Sequence, residues 1–405
     1  MKISNKLTIG LILAVFVLLT PFANASAEEG RYFIKSTKGF WKNALGVRHN
    51  FEKGFSAELS DFQVRLTKMF GVEIEPISIL QISPDDSQPV IEKKPTETGK
   101  AEPAKGNSQR YLPSDQTPWG IETVYNDPLV LATSGGKGIR VAVLDTGVTI
   151  SHPDLEGRVS DCKDFTNRRF PIIDGKCADK NGHGTHVAGI IAADAGSDNL
   201  GVYGVAPESE LLAYKVCGDN GSCYADDVAF ALRSAADHGA NIVNMSFGTN
   251  KDVALIRDAI NYAASQGVLM VAAAGNDGPF PASLDYPAAY PSVIAVGAIS
   301  QSLAVTDWSS RGINSTTKPF IVEEKDIEFA MPGEHVESTW NSGSYVILSG
   351  TSMAAPFTAG LAAKFWQADA ENPMESTREL LHSLARDLFP AGDDDLSGFG
   401  LMRVQ

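Results

Sequence analysis

Three short strings in this chain hold residue types that can divide one hydrolytic reaction among themselves. They are Val-Ala-Val-Leu-Asp-Thr-Gly at 141–147, Gly-His-Gly-Thr-His at 182–186 and Gly-Thr-Ser-Met-Ala-Ala-Pro at 350–356. In chain order they offer a carboxylate, two imidazoles and a hydroxyl, each where a strand or glycine-rich turn meets a helix. A serine hydroxyl is a poor nucleophile at neutral pH, so a base has to take its proton, and histidine is the side chain whose ordinary pKa suits that task. Asp145 ends an apolar strand, where a carboxylate is costly without a partner. A hydrogen bond to an imidazole would satisfy it, fix the ring's tautomer and stabilise the imidazolium formed during reaction. Ser352 opens a run of small residues that reads as a buried helix. Alone it would be an N-cap, but a hydroxyl there can attack a carbonyl while its own amide steadies the oxyanion. Two other chemistries fit less well. An aspartic protease needs two carboxylates sharing a proton, and the chain has a single Asp-Thr-Gly. A zinc site at His183 and His186 would lack the glutamate and the spacing of the zinc-protease helix.

Such groups meet only if strands and helices bring them to one end of a sheet. Apolar strands at residues 139–144, 211–216, 242–246, 268–274 and 292–298 alternate with helical patterns at 183–193, 225–238 and 252–266. Near-continuous apolar strands separated by helices predict an α/β fold with a mostly parallel central sheet and helices on both faces. Before it, residues 31–35 alternate like a strand, residues 60–70 have helical spacing through Phe62, Leu66 and Phe70, and residues 71–75 return to strand, which predicts a small α+β unit.

At 405 residues and 43% hydrophobic content the chain can bury one large core and one small one. Its formal net charge of −15 works against nucleic-acid binding, which needs a concentrated basic surface. Residues 1–27 read as an export signal, with Lys2 and Lys6, an apolar run and Ala25-Ser26-Ala27 as a cleavage site. The run is short for a membrane span, and no later stretch is apolar enough for one, so a secreted, soluble mature protein is expected. In an oxidising compartment, Cys162 with Cys177 and Cys217 with Cys223 are the local disulfide pairs that proximity favours. Residues 83–115 are rich in Pro, Ser, Lys, Glu and Thr and read as an exposed linker holding a maturation site.

At its three strings the sequence closely resembles the subtilisin family of secreted serine proteases, over about residues 111–405, and residues 31–80 resemble that family's pro-regions more weakly. The resemblance implies a secreted endopeptidase made as a preproprotein: signal at 1–27, pro-domain at 28–82, linker at 83–115 and catalytic domain at 116–405. It makes Ser352 the nucleophile, His183 the base, Asp145 its orienting carboxylate and Asn276 the side-chain donor to the oxyanion, and leaves His186 a packed structural histidine. It places Ser246, Phe247 and Gly248 along one edge of the substrate groove, and Ala273, Ala274 and Gly275 on the facing wall of the specificity pocket. It implies structural calcium, held by Asp154, Asp198 and the carbonyls of Gly196, Leu200 and Val202, with Asp115 completing the shell. Expected partners are protein and peptide substrates and, as an intramolecular inhibitor, the chain's own pro-domain; the mature enzyme is expected to be a monomer free of nucleic acid and membrane. The string around Ser352 departs from the family pattern at Ala355 and Phe357, which bears on local packing. Asp393, Asp394 and Asp395 form a further acidic run.

Overall fold

The computed structural model describes residues 30–82, 90–91, 111–314, 322–388 and 392–404. The export signal lies outside the described residues, as does nearly all of the linker. The chain forms two compact units: Met1–Ser78 with Asn167–Pro171, and Ile79–Thr166 with Ile172–Gln405.

In the smaller unit, strands β1 (Gly30–Ile34), β2 (Asn50–Phe51), β3 (Gly54–Leu59) and β4 (Ile74–Pro76) form an antiparallel sheet in the order β2-β3-β1-β4. Helices α1 (Gly39–Leu45) and α2 (Asp61–Met69) complete it. The start of α2 is fixed by a capping box: the Ser60 hydroxyl accepts from Gln63 N while Gln63 reaches back to Ser60 N. The core gathers Ile34, Trp41, Leu45, Phe55, Leu59 and Ile74. The helix forms where the spacing put it, yet Phe62 and Phe70 are exposed; Val64 and Leu66 are the α2 residues packed on the core.

The larger unit begins with β5 (Ile79–Gln81) and β6 (Val90–Ile91), then α3 (Trp119–Tyr125). The expected boundary at residue 82 moves back to Ser78, because Ile79–Gln81 pairs with a strand of the larger unit. There follow β7 (Arg140–Asp145), β8 (Val159–Asp164), β9 (Ile173–Asp174), α4 (His183–Ala192), β10 (Glu210–Lys215), β11 (Ser222–Tyr224), α5 (Ala225–Asp237), β12 (Ile242–Met245) and α6 (Ala254–Ser265). The chain continues with β13 (Leu269–Ala273), β14 (Val293–Ile299), β15 (Phe329–Pro332), β16 (Val336–Thr339), β17 (Tyr345–Leu348), α7 (Thr351–Lys364), α8 (Pro373–Leu384), β18 (Ala385–Arg386) and β19 (Leu401–Met402).

The main sheet runs β15-β14-β13-β12-β7-β10-β8-β9, and every pairing is parallel except that of β8 with β9. Its central strands are largely apolar because helices cover both faces: α7 packs on β12 to β15, and α5 and α6 pack on each other and on the sheet. The chain enters this sheet at β7 and then builds outward on both sides, so the strand order reverses there. In open parallel sheets such a reversal leaves a crevice at the carboxyl ends of the strands.

A buried ion pair ties α8 to the sheet. Glu328 is almost wholly buried, and both of its oxygens accept from Arg378, at 2.8 and 2.6 Å, while His382 Nε2 lies 2.6 Å from Oε1. Burial alone would raise the Glu328 carboxyl, but Arg378 and His382 hold it at about 2. A depressed carboxyl stabilises the fold above the unfolded value near 4.5 and loses that contribution as pH falls toward its folded value. In urea titrations Glu328→Gln should lose about 3 kcal/mol at pH 7, and the gap to the parent should narrow as pH falls below about 4.5. A gap independent of pH would contradict this assignment.

Candidate active site

Asp145 is the last residue of β7 and is completely buried. His183 begins α4, and its Nδ1 lies 2.8 Å from Asp145 Oδ1 and 3.0 Å from Oδ2. Nδ1 therefore carries its proton toward the carboxylate, which leaves Nε2 as the basic nitrogen. The approach demands glycine at position 184: a Cβ there would lie 2.1 Å from the Gly147 carbonyl and 3.0 Å from Asp145 Oδ1.

A residue that sequence reasoning passed over fixes this geometry. Asp179 Oδ1 accepts from Thr146 Oγ1, Asn181 N and Gly182 N, and its Oδ2 accepts from Thr185 N and Thr185 Oγ1. One buried carboxylate thus caps the first turn of α4 and ties it to the residue after Asp145. Thr146 Oγ1 also accepts from Gly184 N at 3.0 Å. An acidic residue four positions before a helix start was the available signal.

His186, one turn along α4, is fully buried, with Nε2 3.1 Å from the Val336 carbonyl and 3.0 Å from that of Val346. Burial and the neighbouring His183 push it down to about 3, so it stays a neutral packing group.

Ser352 is the second residue of α7, a helix buried from Thr351 to Ala363. Pro356 sits four residues further on and has no N–H, so the Ser352 carbonyl lacks its helical donor. Ser246 supplies one: its hydroxyl donates to Ser352 O at 2.9 Å, and Ser352 Oγ donates to Ser246 O at 3.1 Å. Asn244 Nδ2 steadies the Ser246 hydroxyl at 2.9 Å. The loop after β12 and the start of α7 are thereby locked together.

Asn276 follows β13. Its Oδ1 accepts from Thr351 N at 3.1 Å and from Thr351 Oγ1 at 2.9 Å, which turns Nδ2 away from Thr351. Asn276 Nδ2 and Ser352 N both converge on Gly350: a Cβ there would lie 3.5 Å from the one and 3.7 Å from the other. Two N–H donors from different elements so flank one small volume beside the hydroxyl.

The segment expected to edge the groove pairs through its backbone. Phe247, Ala273 and Ala274 are buried, while Gly248 exchanges two hydrogen bonds with Gln81, at 3.0 and 2.9 Å. On its other side β5 pairs antiparallel with β11, and Ile82 N donates to the Gly221 carbonyl at 3.1 Å. An extended segment therefore lies between two backbone edges. The β11 edge was not anticipated, because nothing in its side chains marks it.

Asp154 is buried, with Oδ2 accepting from Val202 N at 2.9 Å and from Tyr345 OH at 2.8 Å. A Cβ on Gly201 would lie 2.0 Å from Asp154 Oδ1, so the carboxylate is pressed against the 196–202 loop. Asp198 Oδ1 accepts from Leu200 N within that loop. Asp115 Oδ1 accepts from Thr117 N, two residues on, and its own N donates to Glu337. The side chain from this stretch that reaches the loop is Gln116, whose Nε2 donates to Asn199 O at 2.6 Å and Gly201 O at 3.2 Å. Successive side chains of an extended segment point to opposite sides, so a shift of one residue decides which one arrives. In the acidic run, Asp394 caps its own turn, accepting from Leu396 N, Ser397 N and Ser397 Oγ, and burial with nearby carboxylates pushes Asp393 up to about 6. Asn314 is tied to Ile327 and Asp393 by its side chain.

Both local disulfides form, Cys162 with Cys177 and Cys217 with Cys223. The second closes the loop that carries β11.

A parallel sheet with a carboxylate, an imidazole and a helix-borne serine at one end defines the class of α/β serine hydrolases. Comparison with known proteins is more specific. Residues 136–400 match the subtilase family model. The chain is 40% identical to a subtilisin from Bacillus sp. (strain TA39) over the whole of both chains. Among solved structures it resembles sphericase, at 48% identity and a TM-score of 0.69, and the S41 psychrophilic protease, at 45% and 0.68. Each covers 72% of this chain and 99% of the other. The chain belongs to the subtilase family and is a serine-type endopeptidase.

Because Asp179 holds the first turn of α4 without facing the reacting atoms, Asp179→Ala should leave buried donors unsatisfied. We expect a stability loss of about 1–3 kcal/mol together with a fall in kcat that exceeds any change in KM. Unchanged thermal melting and kinetics would remove it from this positioning role.

Proposed function

We propose that this protein is a secreted, calcium-stabilised endopeptidase made as a preproprotein, and that Ser352, His183 and Asp145 carry its chemistry. The observation that weighs most is the buried Asp145 to His183 hydrogen bond at the end of β7, the strand beside β12, whose following residue Ser246 exchanges hydrogen bonds with Ser352. His183 Nε2 takes the proton of Ser352 as its oxygen attacks the scissile carbonyl. The Ser352 proton, donated to Ser246 O in the resting state, then has to turn toward the imidazole, a tightening that catalytic hydrogen bonds commonly undergo on substrate binding. Asn276 Nδ2 and Ser352 N stabilise the oxyanion, a contribution of about 100 to 1,000-fold per side-chain donor, the magnitude known for this family. The protonated His183 delivers its proton to the leaving amine, and water repeats the sequence to release the acyl-enzyme.

The substrate enters as an added strand, which gives affinity through the backbone. Residues 79–82 already lie along Gly248 and β11 as a peptide would, which supports the reading of the preceding unit as an inhibitory pro-domain that has to be removed. Ca2+ would be held by the Asp154 and Asp198 carboxylates with the carbonyls of Gly196, Leu200 and Val202. This all-oxygen donor set fits a hard cation, and its role would be to brace the loop.

Purified mature protein should hydrolyse casein and be labelled at Ser352 by an organophosphate; Ser352→Ala should lose both, with activity down by about a million-fold. Equal cleavage by the substituted protein would overturn the mechanism. Chelation should lower the melting temperature and added Ca2+ restore it, because an ion bound only by the native state stabilises by mass action. A melting temperature unmoved by either would overturn the calcium assignment.

A further inference from the structure

The wall of the specificity pocket carries a charge that the sequence pattern did not suggest. Asp277, next to Asn276, is exposed, and its N donates to Ser310 Oγ. Eight residues later, Asp285 is more than nine-tenths buried. Its backbone N donates to the Ala274 carbonyl at 2.9 Å, which anchors it beside the strand that leads to Asn276. Its carboxylate reaches across to the opposite edge of the groove. A Cβ on Gly248 would lie 2.7 Å from Asp285 Oδ2, and a Cβ on Gly275 would lie 3.0 Å from the same oxygen. Gly248 belongs to the edge that pairs with Gln81, and Gly275, held at φ +104, immediately precedes Asn276. Oδ2 thus sits between the two walls, and both have to be glycine to leave it room. Oδ1 is buried and has no hydrogen-bond partner among the described residues.

A buried carboxylate with neither donor nor cation is an expensive arrangement. Burial and the Asp277 charge push its carboxyl up to about 7. The missing partner has a defined chemistry: a cationic group at the end of a long apolar stem, which crosses walls of small residues and delivers its charge at the floor.

On the proposed reading of this groove as the substrate site, we propose that Asp285 determines specificity, selecting peptides with arginine or lysine as the residue on the acyl side of the scissile bond. Small neutral walls alone favour large apolar side chains. The carboxylate turns that preference toward bases, because only a cation recovers the desolvation of both partners.

The test compares peptide substrates that differ only at this residue, carrying arginine, lysine, phenylalanine or citrulline, the last a neutral near-isostere of arginine. With mature enzyme at about pH 9, where the Asp285 carboxyl is ionised, kcat/KM for arginine should exceed that for citrulline by about tenfold or more. Asp285→Asn should lower the arginine-to-phenylalanine ratio by about tenfold or more. If that variant does not fold, Asp285→Ser and the parent's arginine-to-citrulline ratio decide the matter alone. A parent ratio near one, a ratio unchanged by Asp285→Asn, or a preference abolished by Asp277→Asn instead would overturn the assignment. A parent that still cleaves casein and is labelled at Ser352 while showing no such preference refutes the specificity alone. A parent that neither cleaves nor labels refutes the protease mechanism and this inference with it.

Discussion

The structure turns on the cost of holding a carboxylate out of water at the end of β7. Asp145 is fully buried, and what makes this tolerable is a set of donors arranged around it: the His183 ring at 2.8 Å and the Thr146 amide at 2.7 Å. To bring that imidazole in, α4 has to begin within van der Waals contact of the strand end, which requires glycine at 184 and a cap from Asp179. The buried pair therefore dictates the local backbone, the neighbouring carboxylate and the start of the helix. The parallel sheet supplies the rigid frame in which such proximity can be held without constant rearrangement.

The same economy governs the serine. A proline inside α7 would normally be a defect, yet here the carbonyl it orphans is the one Ser246 needs. The exchange of hydrogen bonds between Ser246 and Ser352 couples the groove edge to the helix start. Thr351 does likewise for the facing wall, accepting from Gly275 N and donating to Asn276 Oδ1. The loop after β12, the Ser352 hydroxyl and the Asn276 side chain are thus parts of one hydrogen-bonded network, so that displacement of any one is felt by the others.

Polar groups whose partners come from the same few residues differ sharply from those whose partner is missing. Asp179, Glu328 and Asp154 are all buried and each is surrounded by donors. Among the described residues Asp285 has no donor at its buried oxygen, and it alone of these four stands between Gly248 and Gly275. Buried oxygens of Asp326 and Asp393 are also without a partner among the described residues, so it is the place of Asp285 between Gly248 and Gly275 that points to something the protein binds.

Much of this was legible in the sequence, for a physical reason. Strands buried on both faces are apolar at most positions, so β7, β10, β12, β13 and β14 announce themselves, and helices that end in glycine turns do the same. The order of carboxylate, imidazole and hydroxyl along the chain, and the pairing of the four cysteines, were likewise readable from residue type and spacing. Strands covered on fewer sides were not: β8 is largely polar, and β11 is a strand only through its partners. Gln116 and Asp285 carry no local signal, because what each does depends on loops and walls far away in the chain. Covalent neighbours set which side chains exist and their chemical character. Only folding decides which of them lose water together, and that loss gives them their roles.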